Sequence, residues 1–207
     1  MKTSKEIFKI TLSAIFLALA FVLPFLTGQI PEIGSMLCPM HIPVILCGFI
    51  CGWKYGLIVG LVAPILRSLS LGMPPVFPTA LCMSLELATY GLVSGFLHQL
   101  FPKKIPFIYV ALIISMLCGR IIWGIAMFCC MGLNLEKFGL TSFWLGGFVN
   151  AIPGIIVQIV IIPIIIMVYS KLKNKVISIK IINVINNKKC NLIIRFLKDM
   201  FLMYLKL

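Results

Sequence analysis

FIYVALIISMLCGRIIWGIAMFCCM, residues 107–131, is mainly apolar and carries a single charge, the guanidinium of Arg120. A helix that crosses a bilayer needs about 20 mainly apolar residues, and this run supplies them with no proline to interrupt it. A charge at the bilayer centre costs about 2.5–3.5 kcal/mol on insertion scales, so it is tolerated where it faces a protein interior or a polar cavity. Arg120 therefore points inward, and the run belongs to a membrane-embedded helical bundle.

The neighbouring sequence extends that reading. Residues 7–26, 39–52, 55–72, 78–101 and 142–172 are also long and apolar, giving six spans with the quoted run as the fifth. Pro24 bends or ends the first span. The second is short, so it is tilted, partly re-entrant or longer than its apolar core. Trp53 and Lys54 turn the chain into the third span, and Pro74 and Pro75 stiffen the connector after it. The composition agrees: 61% of the 207 residues are hydrophobic and 11% charged, against roughly 25% charged in soluble domains. The fold expected is an all-α integral membrane protein, a compact bundle of six transmembrane helices over residues 1–172. A basic tail, 173–207, follows, with no room for a separate soluble domain.

Loop charge sets the orientation. Lys2, Lys5, Lys9, Lys54, Lys103, Lys104, Lys171, Lys173 and Lys175 collect on one face, whereas the other holds Lys137 beside Glu32 and Glu136. By the positive-inside rule both termini are cytoplasmic. The net charge of +13 is thus mostly a topology signal, and no folded basic face remains for nucleic acid. The first apolar run is kept as a span, because no small-residue cleavage site follows it. The end of the tail, residues 191–207, places Arg195, Lys198, Asp199 and Lys206 on one helical face. That pattern fits a helix lying on anionic lipid.

Three charges and an amide lie inside spans: Arg67, Glu86, Arg120 and Asn150. Counted from the outer ends, they are about 5 to 11 residues deep, or roughly 7–17 Å below the outer surface. Tyr90 shares a helix face with Glu86 one turn away, and His41 sits near the outer mouth of the second span. These six residues are the candidate substrate site. A single Arg–Glu pair is as compatible with locking the bundle as with binding. The full set leaves one positive charge unbalanced, which a bound carboxylate would neutralise. The loop over residues 27–38 is either a lid on this site or a plain connector.

Other chemistry has little support. Of the eight cysteines, Cys47, Cys51, Cys82, Cys118, Cys129 and Cys130 fall within spans, where cysteine acts as a small hydrophobe. No CxxC with accompanying histidines occurs, so no metal site is expected. GxSxG, HExxH, paired catalytic aspartates and a Walker sequence are absent. Nothing in the chain binds ATP or another cofactor, so any uphill transport draws on an ion gradient or on another subunit. Small residues at four-residue spacing (Gly48/Gly52, Gly56/Gly60, Gly91/Gly95) allow close helix packing. Ala14/Ala18 on the first span offers a smooth patch for a partner membrane protein.

Several stretches together carry a family resemblance. They are Ala14 and Ala18, PMHIPVILCGFICGW at 39–53, Arg67-Ser68, GMPP at 72–75, ELATYG at 86–91 and GRIIWG at 119–124. Over about residues 5–172 the chain resembles the substrate-binding S component of energy-coupling factor (ECF) vitamin transporters. The resemblance implies a multi-pass subunit of the bacterial plasma membrane that binds a B-vitamin or precursor from outside. It implies as partners a transmembrane coupling subunit, contacted at Ala14 and Ala18, and two ATPase subunits that use the ATP. In such a mechanism the S component topples within the membrane to carry its site inward. Two arginines favour pantothenate, with pyridoxine-like and hydroxypyrimidine compounds also open. Two rival classes remain: a stand-alone gradient-driven transporter or channel, and a membrane-embedded enzyme using Glu86 and His41, whose estimated depths differ.

Overall fold

Every regular element follows from an apolar run and the residue that stops it. A computed structural model describes residues 2–27, 38–102, 104–132, 143–173 and 175, and all regular structure among them is helical. Helix α1, Lys2–Val22, gives way at Pro24 to a 3₁₀ turn, Leu23–Thr27, because proline lacks the amide N–H that would continue the ladder. Helix α2 covers His41–Cys51 and α3 covers Trp53–Leu71. The turn between them is Gly52 itself, at φ 106°, a conformation glycine adopts without steric cost; Trp53 already belongs to α3. Val76–Ala80 forms a π-helical turn that leads into α4, Leu81–Leu100. Helix α5, Ile105–Cys130, carries Pro106 in its first turn, where a missing N–H costs no hydrogen bond. Helix α6 runs over Leu145–Lys173 and opens with a π-helical turn, Leu145–Val149.

Five segments are long and apolar enough to cross a membrane: Glu6–Phe25, Trp53–Leu71, Val76–Leu100, Ile105–Cys130 and Leu145–Lys173. The run 39–52, expected as a short sixth span, forms the 11-residue α2, roughly 16 Å long and about half the hydrocarbon thickness. Burial explains how so short an apolar helix is accommodated. Every residue of α2 except Ile42 and Ile50 is buried, and it packs against α1, α3 and α4. A helix enclosed by other helices need not match the bilayer.

The core joins Phe16 and Ala20 of α1, Val44, Ile45 and Cys47 of α2, Leu87 and Tyr90 of α4, Leu112 of α5 and Ile162 of α6. Helix α5 shows how the faces divide. Ile113, Leu117, Ile121 and Ile125 form an exposed stripe at four-residue spacing, while Leu112, Ser115, Met116, Gly119 and Arg120 are buried. Polar groups turn inward and aliphatic ones outward, the arrangement a lipid solvent favours. Helices α3 and α4 approach to backbone contact at Gly56 and Gly91, where a Cβ on Gly91 would overlap the Gly56 carbonyl.

Met1–Ile166 forms one compact unit and Met167–Leu207 a second; the described residues of the second are the helical end of α6 and residue 175. Residues 28–37 of the loop read as either a lid or a plain connector, the loop around Glu136 and Lys137, and the expected lipid-surface helix of residues 191–207 lie outside the described residues.

Candidate functional site

Three helices bring four polar side chains together, from the start of α2, the first half of α4 and the second half of α5. Glu86 and Tyr90 stand one turn apart on α4, so they share a face. The Tyr90 hydroxyl donates to Glu86 Oε1 at 2.8 Å. From α5, Arg120 Nη1 reaches the same oxygen at 2.9 Å, and Nη2 lies 3.8 Å from Cys38 Sγ. From the first residue of α2, His41 Nε2 lies 3.6 Å from Glu86 Oε1. That distance brings the ring edge toward the carboxylate but is too long for a hydrogen bond. The His41 ring sits 5.3 Å from the Tyr90 ring, tilted by 55°.

The cluster is almost sealed: Tyr90 is 1% exposed, Glu86 and His41 2% each, and Arg120 7%. An unpaired charge at such a position is very costly. The Glu86 carboxylate and Arg120 guanidinium therefore neutralise each other across α4 and α5. Gly119 permits this contact, because a side chain there would overlap the Tyr90 ring. One residue breaks the pattern of satisfied groups. Neither Nδ1 nor Nε2 of His41 has a hydrogen-bond partner, although buried polar groups nearly always have one.

The structure gathers four of the six expected site residues and places the other two elsewhere. Arg67 is buried at 6% exposure but faces α1, not Glu86. Its Nη1 donates to the Phe21 carbonyl at 3.0 Å, and its guanidinium lies 5.4 Å over the Phe25 ring. The last carbonyls of a helix lack internal partners and carry partial negative charge. Arg67 caps that end of α1, where Pro24 interrupts the ladder. Asn150 is exposed, and its N–H closes the π-helical turn on the Leu145 carbonyl at 3.0 Å. The unbalanced positive charge expected of the pocket is therefore absent from the described cluster. His41 and Glu86, assigned different depths by counting along the chain, are in contact, because α2 starts well inside the bundle.

Two polar residues were not anticipated. Cys38, at φ 46°, brings its sulfur to Arg120 just before α2. Gln158 of α6 is 2% exposed, with its carbonyl oxygen unpartnered. The signal for Gln158 was present, since an amide in an otherwise aliphatic span must face inward; Cys38 had none, at the edge of a polar loop.

A second surface feature involves the expected partner residues. Ala14 and Ala18 are exposed and line an open groove of about 380 Å³ between α1 and α3, with Phe21, Leu66 and Ser70 among its walls.

A family model described as "ECF transporter, substrate-specific component" matches residues 8–166, well over half of the chain. No curated protein and no solved structure matches it.

Proposed function

The chain belongs to the substrate-specific components of ECF transporters, and on that premise we propose that it is the high-affinity binding subunit of an importer for a B-vitamin or vitamin precursor. The observation that carries the site assignment is the buried constellation of His41, Glu86, Tyr90 and Arg120, built from three helices at one level of the bundle. A bundle that needed only apolar packing would gain nothing from sealing a histidine with two unpaired nitrogens beside an ion pair.

The lysine distribution supports a chain with both termini cytoplasmic. In that orientation the cluster lies in the outer half of the bacterial plasma membrane, where cargo arrives. The groove at Ala14 and Ala18 supports docking of a transmembrane coupling subunit, because small exposed residues let a partner helix approach closely. Two ATPase subunits bound to that partner supply the energy, so the chain itself acts as a carrier and not as an enzyme.

The experiment is a binding panel. The purified full chain in detergent is titrated with B-vitamins and their precursors, and the variant Glu86→Gln/Arg120→Gln is titrated beside it. The expected result is one tight ligand that the double variant no longer binds. A folded protein that binds no member of the panel, combined with accumulation driven by a sodium or proton gradient without ATPase subunits, would replace this reading with a secondary transporter.

A further inference from the structure

We infer that the cargo is an uncharged molecule that donates a hydrogen bond, from a hydroxyl, an amide or a ring N–H, to Nδ1 of His41. The inference rests on the substrate-binding reading above and narrows its ligand class.

The charges of the site are already committed. Glu86 Oε1 accepts from Tyr90 and contacts Arg120 Nη1, so the two ionised groups sum to zero. Arg120 Nη2 is turned toward Cys38. Arg67, the other arginine expected here, is occupied by the Phe21 carbonyl and the Phe25 ring. An anionic ligand at this nearly sealed cluster would lose its hydration without gaining an unpaired cation among the described residues. A cationic ligand would add a positive charge to a pair that already sums to zero, with no further carboxylate at the cluster among the described residues. Each would leave a buried charge uncompensated, the costliest outcome in a low-dielectric interior.

His41 then decides the polarity of the remaining contact. Neutral imidazole carries one N–H and one bare nitrogen. Its Nε2 faces Glu86 at 3.6 Å, so the proton belongs on Nε2, directed at the carboxylate. Nδ1 is left as a lone-pair acceptor, buried and without a partner. An ionised carboxylate has only acceptor atoms and cannot satisfy it. A hydroxyl, amide or ring N–H can. The carboxylate expected from one unbalanced positive charge thus gives way to a neutral donor.

The test uses matched pairs on the wild-type chain in detergent, read by calorimetry or thermal shift. Panthenol is compared with pantothenate and nicotinamide with nicotinate. Riboflavin and pyridoxine are added as uncharged ligands, biotin as an anion and thiamine as a cation. The tight ligand is expected to be uncharged, and the uncharged member of any pair that binds should be the tighter. In a folded His41→Phe protein its affinity should fall by about 5- to 150-fold, as for loss of one buried hydrogen bond. The wild-type comparison stands whether or not that variant folds. A carboxylate or cation as the tight ligand overturns the inference and leaves the importer reading intact. So does a folded His41→Phe protein that binds as wild type. Failure of every compound to bind overturns both.

Discussion

Glu86 and Arg120 are mutually dependent, and that dependence yields a prediction at the scale of single side chains. Removing one member of a buried ion pair leaves the other charged and unsolvated, at about 3–5 kcal/mol. Glu86→Gln alone and Arg120→Gln alone should therefore both lower the melting temperature of the detergent-solubilised protein sharply. The double variant should recover most of that loss, because neither charge remains, and still fail to bind ligand. Equal destabilisation by singles and double would show that the pair does not hold as an isolated unit. Arg67→Met should behave differently. It loses one hydrogen bond and a helix-end charge interaction, together about 1–3 kcal/mol, and leaves ligand affinity unchanged because Arg67 faces Phe21. A measured drop in affinity at constant fold would return Arg67 to the binding site. The sequence made the depth of these residues legible and their direction illegible. Arg67, Glu86 and Arg120 all interrupt apolar runs, and burial of each followed from the cost of a charge in lipid. Which neighbour each one meets depends on helix rotation and helix order, and depth counted along an axis contains neither. Arg67 and Arg120 look alike in sequence and face opposite partners.

At the scale of elements, glycine decides how closely helices sit and therefore where the site residues meet. Gly91 of α4 rests on the Gly56 backbone of α3, and backbone cannot yield as the end of a flexible side chain can. Gly91→Ala should cost about 1–3 kcal/mol as overpacking does; a thermal melt at or above wild type would mean that the two helices can part without penalty. Gly119→Ala acts on function instead. Its methyl would press on the Tyr90 ring, which is 1% exposed, so the hydroxyl moves away from Glu86. Ligand affinity should fall more than thermal stability does, and unchanged affinity would show that Tyr90 only packs. The sequence disclosed these elements unequally. The long apolar runs marked α1, α3, α4, α5 and α6 because a bilayer sets their length. The four-residue glycine spacing marked the close faces. Helix α2 was read as a sixth span because an apolar run reads the same whether it faces lipid or protein. The shortness of the run 39–52 was the clue; the 11-residue helix and its enclosure by α1, α3 and α4 became visible only with the chain folded. The same enclosure brings His41 to Glu86, which chain counting had kept apart.

For the whole molecule, the proposed binding site and the proposed docking face are separated in space. The polar cluster lies where α2, α4 and α5 meet, and the groove lies between α1 and α3 with no polar member of the cluster in its wall. The sequence carries no Walker motif, and ECF substrate-specific components work with coupling and ATPase subunits, so in the proposed importer the signal that cargo has arrived crosses a protein–protein contact. Ala14 and Ala18 are the residues whose size that contact would feel. Changing both to Trp fills a groove of about 380 Å³ on an exposed face and disturbs no core residue. The variant should therefore bind its ligand and melt as the parent does, yet fail to co-purify with the coupling subunit and fail to support uptake in cells. Arg67 enters here as well. By holding the end of α1 against α3 it sets the width of that groove, so Arg67→Met should weaken co-purification while sparing ligand affinity. If the double Trp variant co-purifies as well as wild type, the groove is a lipid-facing crease and the coupling subunit docks on another face. If it loses ligand binding instead, α1 communicates with the polar cluster within the free subunit, and the separation of binding from docking does not hold.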